Sequence, residues 1–168
     1  MKNEVQYRPA KSQDAKAMVN IHYKAVHAIP KTFYSQAVIS AWSPRPDKNR
    51  IDWLQAMIQN GNSCCFVAEQ EEKLIGFAIV LLAEKKLQAI YVNPKAKGKG
   101  VGYELMAKVE SAAAQKGVKS LTLKASINAL KFYQNIGYKE KGEKGETAQL
   151  LSNGLKMEAI KMVKTLTA

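Results

Sequence analysis

Three glycines alternate with lysines in one short stretch of the chain, "KAKGKGVGYEL", residues 95–105. Glycine lets a backbone approach an anion closely and adopt left-handed conformations that other residues avoid. Lysine adds a positive charge on a flexible stem. The stretch is therefore either a phosphate-binding loop or a mobile, solvated loop, and its composition alone does not separate the two.

The position of this stretch between two predicted elements favours phosphate binding. A β-strand is predicted to end near Val92, a helix to begin near Val101, and another strand to cover residues 120–126. The loop would then lie at the carboxyl end of the first strand of a βαβ unit. Anions bind there because the first N–H groups of a helix have no partner within the helix and the helix dipole is positive at that end.

Two familiar phosphate motifs do not fit the stretch. A Walker A loop needs Ser or Thr after its Gly-Lys pair, whereas Lys99 is followed by Gly100. A Rossmann loop needs G-x-x-G at its end and an acidic residue about 20 positions later, whereas Gly102 comes one residue early. The stretch is therefore neither a Walker A loop nor a Rossmann loop.

A second candidate segment, "NALKFYQNIGYKE", follows the predicted βαβ unit. Asn128 is predicted to cap a short helix, and Tyr133 follows five residues later. A phenol can act as a weak acid. Tyr133 also fits the apolar stripe formed with Phe132 and Ile136, so periodicity alone leaves it as either a core residue or a reactive one.

The elements that must position these residues alternate between strand and helix patterns. Strands are predicted in "EVQYRPA", "CCFVAEQ", "KLIGFAIVLL", "KKLQAIYVNP", "SLTLKAS" and a C-terminal hairpin turning at Asn153-Gly154. Helices are predicted in "SQDAKAMVNIHYKAVHAI", "KTFYSQAVISAW", "RIDWLQAMIQN" and the segment after Gly100. Strands at both ends with helices between them indicate a mixed α/β sandwich.

Caps and turns set the expected boundaries of these elements. Ser12 and Asp47 are predicted N-caps, and Gly61 is predicted to end its helix as the C′ glycine. A tight turn at Glu71 and Glu72 should join the second and third strands.

Together, "LQAIYVNPKAKGKGVGYELM" and "NALKFYQNIGYKE" resemble the GNAT superfamily of acyl-CoA-dependent N-acyltransferases. The first is similar to that family's central strand and its Q/R-x-x-G-x-G/A pyrophosphate loop, with Lys97 where the family usually has Gln or Arg. The second is similar to its N-x-x-A-x-x-F-Y-x-x-x-G-F block, with the alanine shifted to Ala129. The resemblance is close from Leu87 to Tyr138 and looser over nearly all the rest.

The resemblance implies one domain over residues 1–168. Its fold would be a mixed, mostly antiparallel central sheet of about six to seven strands, flanked by helices, with one βαβ unit carrying the pyrophosphate loop. A homodimer through the C-terminal strands is common among relatives, so this chain is either a monomer or such a dimer.

The resemblance also implies an acetyl-CoA site. Backbone groups of Ile90, Tyr91 and Val92 would pair with the pantetheine arm like an added strand. Asn128 would hold the pantetheine, and Tyr133 would protonate the departing thiolate. The pyrophosphate would be held by Lys97, Gly98, Lys99, Gly100, Val101, Gly102 and Tyr103.

The reaction implied is direct attack of a primary amine, on a small molecule or a peptide, within a ternary complex and without a metal. Many relatives use a carboxylate near the start of the central strand as the base, and Glu84 is the nearest one here. Glu84 is either that base or a solvated turn residue. Cys64 and Cys65 are either structural or able to form an acyl-enzyme.

The acceptor site is expected near the segment after the first helix. That segment carries four aromatic or imidazole side chains: His27, Phe33, Tyr34 and Trp42. They either line an amine pocket or pack between two helices.

Composition limits the function classes. The chain has 168 residues, 46% of them hydrophobic, and a formal net charge of +12, which favours anionic partners. Among anionic partners, nucleic acid is less favoured than an acyl-CoA, because the sequence contains no RRM, KH or zinc-finger signature. An acyl-CoA-binding protein without catalysis is the alternative within the family. With no apolar leader segment, no apolar run near 20 residues and two adjacent cysteines, a cytoplasmic protein without a membrane span is expected.

Overall fold

A computed structural model describes residues 4–142 and 148–167 of the chain. In these residues the helices are α1 Ala15–His27, α2 Gln36–Trp42, α3 Lys48–Gln59, α4 Val101–Gln115 and α5 Leu130–Asn135. The strands are β1 Gln6–Pro9, β2 Ser63–Gln70, β3 Lys73–Leu81, β4 Lys86–Val92, β5 Ser120–Ser126, β6 Lys139–Glu140, β7 Ala148–Leu150 and β8 Lys156–Thr165. No helix in these ranges is long and apolar enough to cross a membrane.

The strands form one sheet in the order β1-β2-β3-β4-β5-β8-β6, with β7 also paired to β8. Every pairing is antiparallel except that of β4 with β5, which α4 connects. The predicted mixed, mostly antiparallel sheet and its βαβ unit are confirmed. The sheet has eight strands rather than six to seven, because β6 is only two residues long and too short for an alternating pattern to reveal.

β4 and β5 separate almost as soon as they meet. Their register contains a single pair, Lys86 with Thr122, next to a 2.9 Å hydrogen bond from the Thr122 N–H to the Lys85 carbonyl. On its other edge, β4 is paired with β3 as far as Val92. The part of β4 beyond Lys86 therefore has an edge that no described strand covers, and we call the gap between it and β5 the strand cleft.

Helices cover both faces of the sheet, as the alternation of β2 and β3 requires. Cys64, Ala68, Ala78 and Val80 belong to the cluster packed under α4. Their neighbours on the opposite face join the cluster under α1 and α3: Cys65, Val67, Phe77 and Ile79. The apolar stripe of α4 supplies five side chains of the first cluster, each at most 1% exposed: Val101, Leu105, Met106, Val109 and Ala113.

Several predicted turns and caps are confirmed. Glu71 and Glu72 have φ values of 51° and 62°, so they form the tight turn between β2 and β3. Gly154, with φ 84°, lies in the loop between β7 and β8. The Asp47 carboxylate accepts a 2.8 Å hydrogen bond from the Arg50 N–H and caps α3.

Three predicted caps are wrong. Ser12 does not cap α1, because a 3₁₀ turn over residues 12–14 precedes that helix and has Lys11 as its own N-cap. Asn128 lies inside a similar turn before α5, whose N-cap is Ala129. α3 ends through Asn60 in an extended conformation (φ −74°, ψ 120°) and not through a left-handed Gly61.

Candidate active site

The glycine-rich loop takes the backbone conformations that its sequence indicates. Gly98 and Gly100 have φ values of 81° and 79°, in the left-handed region that favours glycine. Gly100 is the N-cap of α4, and the first hydrogen bond of the helix runs from the Glu104 N–H to the Gly100 carbonyl, 3.1 Å. The preceding N–H groups, of residues 101–103, therefore have no partner within the helix and form a ready anion site.

Two other glycines let the start of α4 approach its neighbours. A Cβ on Gly76 in β3 would lie 3.0 Å from Leu105 Cδ1 and 3.2 Å from Val101 Cγ1. A Cβ on Gly102 would lie 3.3 Å from the ring of Phe132 in α5. The lack of a Cβ at Gly102 therefore lets the loop lie against α5, so the two segments singled out in the sequence are neighbours in space.

The backbone of β4 has two groups directed into the strand cleft. The Asn93 N–H donates to the Ile75 carbonyl, 2.7 Å, on the β3 side of the strand. Because successive residues of a strand direct their backbone groups to opposite edges, Tyr91 also faces β3, whereas Ile90 and Val92 face the cleft. The cleft edge of β4 can therefore pair with an extended ligand.

Tyr133 lies at this end of the sheet, and its hydroxyl group has no hydrogen-bond partner among the described residues. The residue is 8% exposed, and no described side chain or backbone group bonds its Oη. All fully enclosed side-chain nitrogen and oxygen atoms of the described residues have partners, so Tyr133 Oη must reach open space. Burial and the nearby Tyr91 raise the pKa of Tyr133, which keeps it a protonated donor at neutral pH.

A cavity of about 420 Å³ lies on the other side of β4, between the sheet and helices α1 and α3. Its walls combine aromatic rings with a few polar groups, chiefly Trp42, Trp53, Phe77, Tyr91, His22 and Arg50. This mixture is typical of small-molecule sites. The Tyr91 side chain forms part of the cavity wall, and the residues on either side of it in β4 direct backbone groups into the cleft, so β4 lies between the two spaces.

His22 and Arg50 are joined at the wall of this cavity. His22 Nδ1 lies 2.8 Å from Ser43 Oγ and 3.1 Å from Arg50 Nη2. Since a guanidinium only donates, Nδ1 accepts and Nε2 carries the proton. Burial and the charge of Arg50 lower the pKa of His22 to about 3, so its ring is neutral at physiological pH.

The four side chains of the predicted acceptor segment have different surroundings, and only one of them lines the cavity. Trp42 lines the cavity. Tyr34 is a packing residue whose hydroxyl donates to the Glu158 carbonyl, 2.6 Å, and accepts from the Ile127 N–H, 2.7 Å. Phe33 is 44% exposed. His27 Nε2 donates to the Ser43 carbonyl, 2.8 Å, and so holds the end of α1 against α2.

Other predicted residues lie away from this centre or at its margin. Glu84 is exposed in the turn between β3 and β4 and does not line the cavity. Asn128 is exposed in the turn between β5 and α5. Cys64 and Cys65 are buried in β2, and burial raises the pKa of each thiol. Within the described residues, no group of three His, Cys, Asp or Glu side chains could hold a metal.

Sequence reasoning missed the polar residues of the cavity. No motif in the sequence singles out His22, Arg50 or Trp53 as site residues, and Arg50 and Trp53 belong to the same helix. Their positions one turn apart on α3 are the signal that could have indicated a shared face.

The sequence matches a known domain family over residues 31–160, described as an acetyltransferase (GNAT) domain. A curated relative, N-acetyltransferase 8B of Homo sapiens, is 30% identical over 103 residues, which is 55% of this chain and 45% of that protein. The uncharacterized N-acetyltransferase MJ1207 of Methanocaldococcus jannaschii is 24% identical over 146 residues, 80% of this chain and 60% of that protein. The chain thus aligns with about half of the length of these relatives.

Solved structures share the fold over almost the whole chain. A GCN5-related N-acetyltransferase from Rhodopseudomonas palustris has a TM-score of 0.84 at 23% identity, covering 99% of this chain and 98% of that one. The PaiA N-acetyltransferase of Thermoplasma acidophilum, in complex with coenzyme A, has a TM-score of 0.78 at 19% identity, covering 96% and 99%. YncA of Salmonella typhimurium, a putative acetyltransferase with acetyl-CoA, has a TM-score of 0.71 at 20% identity, covering 98% and 95%.

Proposed function

Because this chain belongs to the GNAT acetyltransferase family, we propose that it transfers an acetyl group from acetyl-CoA to a primary amine. One observation carries the proposal: the strand cleft, the glycine-rich loop and the unoccupied hydroxyl of Tyr133 lie together at one end of the sheet. The similar proteins that hold coenzyme A or acetyl-CoA support the choice of co-substrate.

Acetyl-CoA would bind along the cleft. Its pyrophosphate would accept hydrogen bonds from the loop N–H groups between Gly98 and Tyr103, with Lys97 and Lys99 adding positive charge. Its pantetheine arm would pair with the cleft-facing backbone of Ile90 and Val92. Asn128, exposed in the turn after β5, would contact the same arm from the opposite side of the cleft.

The acceptor amine would enter from the helix–sheet cavity and attack the thioester carbonyl in its neutral form. A new N–C bond would form, a backbone N–H at the β4 edge would stabilise the oxyanion, and the C–S bond would then break. The amine would release its proton to water, and Tyr133 Oη would donate one to the departing sulfur and then regain a proton from water.

Calorimetry with a matched pair of loop variants tests the acetyl-CoA site. Gly100→Asp and Gly100→Asn have the same shape, and both side chains tolerate the left-handed backbone better than most. Only the aspartate places a negative charge beside the expected pyrophosphate. We expect the affinity for acetyl-CoA to fall at least about tenfold more in the aspartate variant than in the asparagine variant.

In this calorimetric comparison, equal affinities of the two Gly100 variants would refute the loop as the pyrophosphate site.

Thiol release from acetyl-CoA with an amine panel tests the transfer itself. Tight acetyl-CoA binding with no thiol release for any amine would instead identify a CoA-binding protein without acetyltransferase activity.

A further inference from the structure

The chain has only three arginines among its 26 lysine and arginine residues, and the three have different surroundings in the structure. Arg8 is paired with two carboxylates, Asp14 at 2.8 Å and Glu69 at 2.7 Å. Arg45 is exposed on the surface. Arg50 is half-buried in the wall of the cavity, and no carboxylate of the described residues lies within ion-pair distance of it.

The hydrogen bonds of Arg50 hold its side chain without neutralising it. Its guanidinium donates to the Pro44 carbonyl and to His22 Nδ1, and both acceptors are uncharged. Asp47, whose carboxylate accepts from the backbone N–H of Arg50 and caps α3, also lines the cavity, but it forms no ion pair with the guanidinium. Because a guanidinium stays protonated in proteins, the cavity has a fixed positive charge on one wall.

The aromatic walls of the cavity complement an aliphatic or aromatic body of small size. Trp42 and Tyr91 pack edge to face with ring centroids 6.4 Å apart, and Trp53 is 56% exposed. Aromatic walls alone would also suit a cation. The Arg50 guanidinium, which no described carboxylate pairs with, disfavours a cation beside it. It also matches the planar geometry of a carboxylate, with which guanidinium forms paired hydrogen bonds.

We propose that the acceptor is an amine that itself bears a carboxylate, such as an amino acid or a short peptide, with that carboxylate bound by Arg50. This inference rests on the proposed function and names its substrate class. Bound in this way, the acceptor would extend from Arg50 on α3 past Tyr91 towards the β4 edge, where the thioester is expected. The chemistry is that of the proposed transfer, in which an N–C bond replaces a C–S bond.

Pairs of acceptors that differ only in the carboxylate provide the test. Common amino acids and their carboxamides, together with spermidine, are compared by thiol release from acetyl-CoA. We expect the wild-type protein to prefer each carboxylate over its carboxamide by roughly 10–100-fold in kcat/KM. Arg50→Met should remove this preference, and Arg50→Lys should keep only part of it, since lysine retains the charge without the fork.

Arg45→Met is the matched control, because it removes the same charge from an exposed neighbour that does not line the cavity. It should keep the full preference for carboxylates. The affinity of Arg50→Met for acetyl-CoA, measured by calorimetry, should stay within about twofold of wild type, which establishes that the variant is folded.

Two outcomes would overturn the inference while leaving acetyl transfer intact: wild-type preference for carboxamides or spermidine, or an unchanged carboxylate preference in Arg50→Met. Absence of thiol release with every amine, beside tight acetyl-CoA binding, would overturn the proposed transfer and this inference with it.

Discussion

Two tyrosines in neighbouring positions of the fold have contrasting hydroxyl groups. The rings of Tyr133 and Tyr138 are 5.9 Å apart. Tyr138 donates a 2.9 Å hydrogen bond to Glu110, which also pairs with Lys164 at 2.8 Å. Tyr133 has no such partner among the described residues. A side chain whose polar atom stabilises nothing in the folded protein is available for a ligand, and this contrast can be measured.

Tyr133→Phe should lower kcat by roughly 10²-fold, because it removes the proposed donor to the leaving sulfur. Its free energy of unfolding should change by less than about 0.5 kcal/mol, because no hydrogen bond is lost. Steady-state thiol release and urea unfolding measure the two quantities.

Tyr138→Phe is the matched control with the opposite result. Loss of the donor to Glu110 should cost about 1–3 kcal/mol of stability and leave kcat unchanged. A Tyr138 variant that loses activity, or a Tyr133 variant that loses stability, would contradict the assignment of roles.

His22 makes stability depend on pH in a predictable direction. Its pKa is lowered from 6.5 to about 3 in the folded protein by burial and by Arg50. Between these values the unfolded chain binds a proton that the folded protein does not, so the contribution of His22 to stability falls as the pH is lowered below about 6.5. The slope is at most about 1.4 kcal/mol per pH unit.

Urea unfolding of the wild-type protein and of His22→Gln, from about pH 7 to about pH 5, measures this contribution. The variant should be less stable at the upper pH because it loses the hydrogen bond to Ser43. The gap between the two proteins should narrow as the pH falls. Two parallel curves would show that His22 does not titrate in this window.

The sequence indicated the backbone conformation of the glycine-rich loop but did not indicate which residues line the cavity. The left-handed conformations of Gly98 and Gly100 follow from their own lack of a Cβ, so local sequence was sufficient to indicate them. The contact of His22 with Arg50 joins residues 28 positions apart and depends on how α1 packs against α3. No local pattern contains that information, and the pocket therefore became visible only in the structure.

At the scale of elements, the attachment of α4 to the sheet depends on Gly76. Gly76→Ala would place a Cβ 3.0 Å from Leu105 Cδ1 and 3.2 Å from the Tyr91 carbonyl oxygen. We expect a loss of about 1–3 kcal/mol in the free energy of unfolding, together with weaker acetyl-CoA binding, since the start of α4 must shift.

Gly61→Ala provides the comparison, because nothing lies within 4 Å of the added Cβ and the backbone there is not left-handed. Its stability should be unchanged or higher by up to about 1 kcal/mol. Similar losses in both variants, measured by urea unfolding, would refute the steric explanation.

The main elements were predictable from the sequence, and some of their ends, such as the Asp47 cap of α3, were predictable as well, but others were not. The apolar stripe of α4 and the alternation of β2 and β3 repeat over many residues, so the prediction of each element does not depend on any single residue. The starts of α1 and α5 depend on single residues, and 3₁₀ turns placed before both helices displaced the predicted caps at Ser12 and Asn128. β6 depends on pairing with the distant β8 and has no pattern of its own.

For the molecule as a whole, the net charge of +12 should affect ligand binding through long-range attraction. Raising the ionic strength from about 0.05 M to about 0.5 M should weaken acetyl-CoA binding by less than about tenfold, because close hydrogen bonds are screened little. Calorimetry over this range measures the effect.

Nucleic acid is the comparison ligand for this prediction. We expect no saturable binding of single- or double-stranded oligonucleotides near physiological salt. Tight binding that weakens steeply with added salt would show instead that the positive charge of the protein binds nucleic acid.

The order of strands also has a consequence during synthesis of the chain. β1 to β4 lie in the sheet in an order that lets each of β2, β3 and β4 pair with an earlier neighbour as it leaves the ribosome. β8 is made after β6 and yet lies between β5 and β6, and it also pairs with β7. Until β8 emerges, β5 has an open edge, and an open edge can pair with another nascent chain. We therefore expect the risk of aggregation at the β5 edge to last until residues 156–165 are available to pair with it.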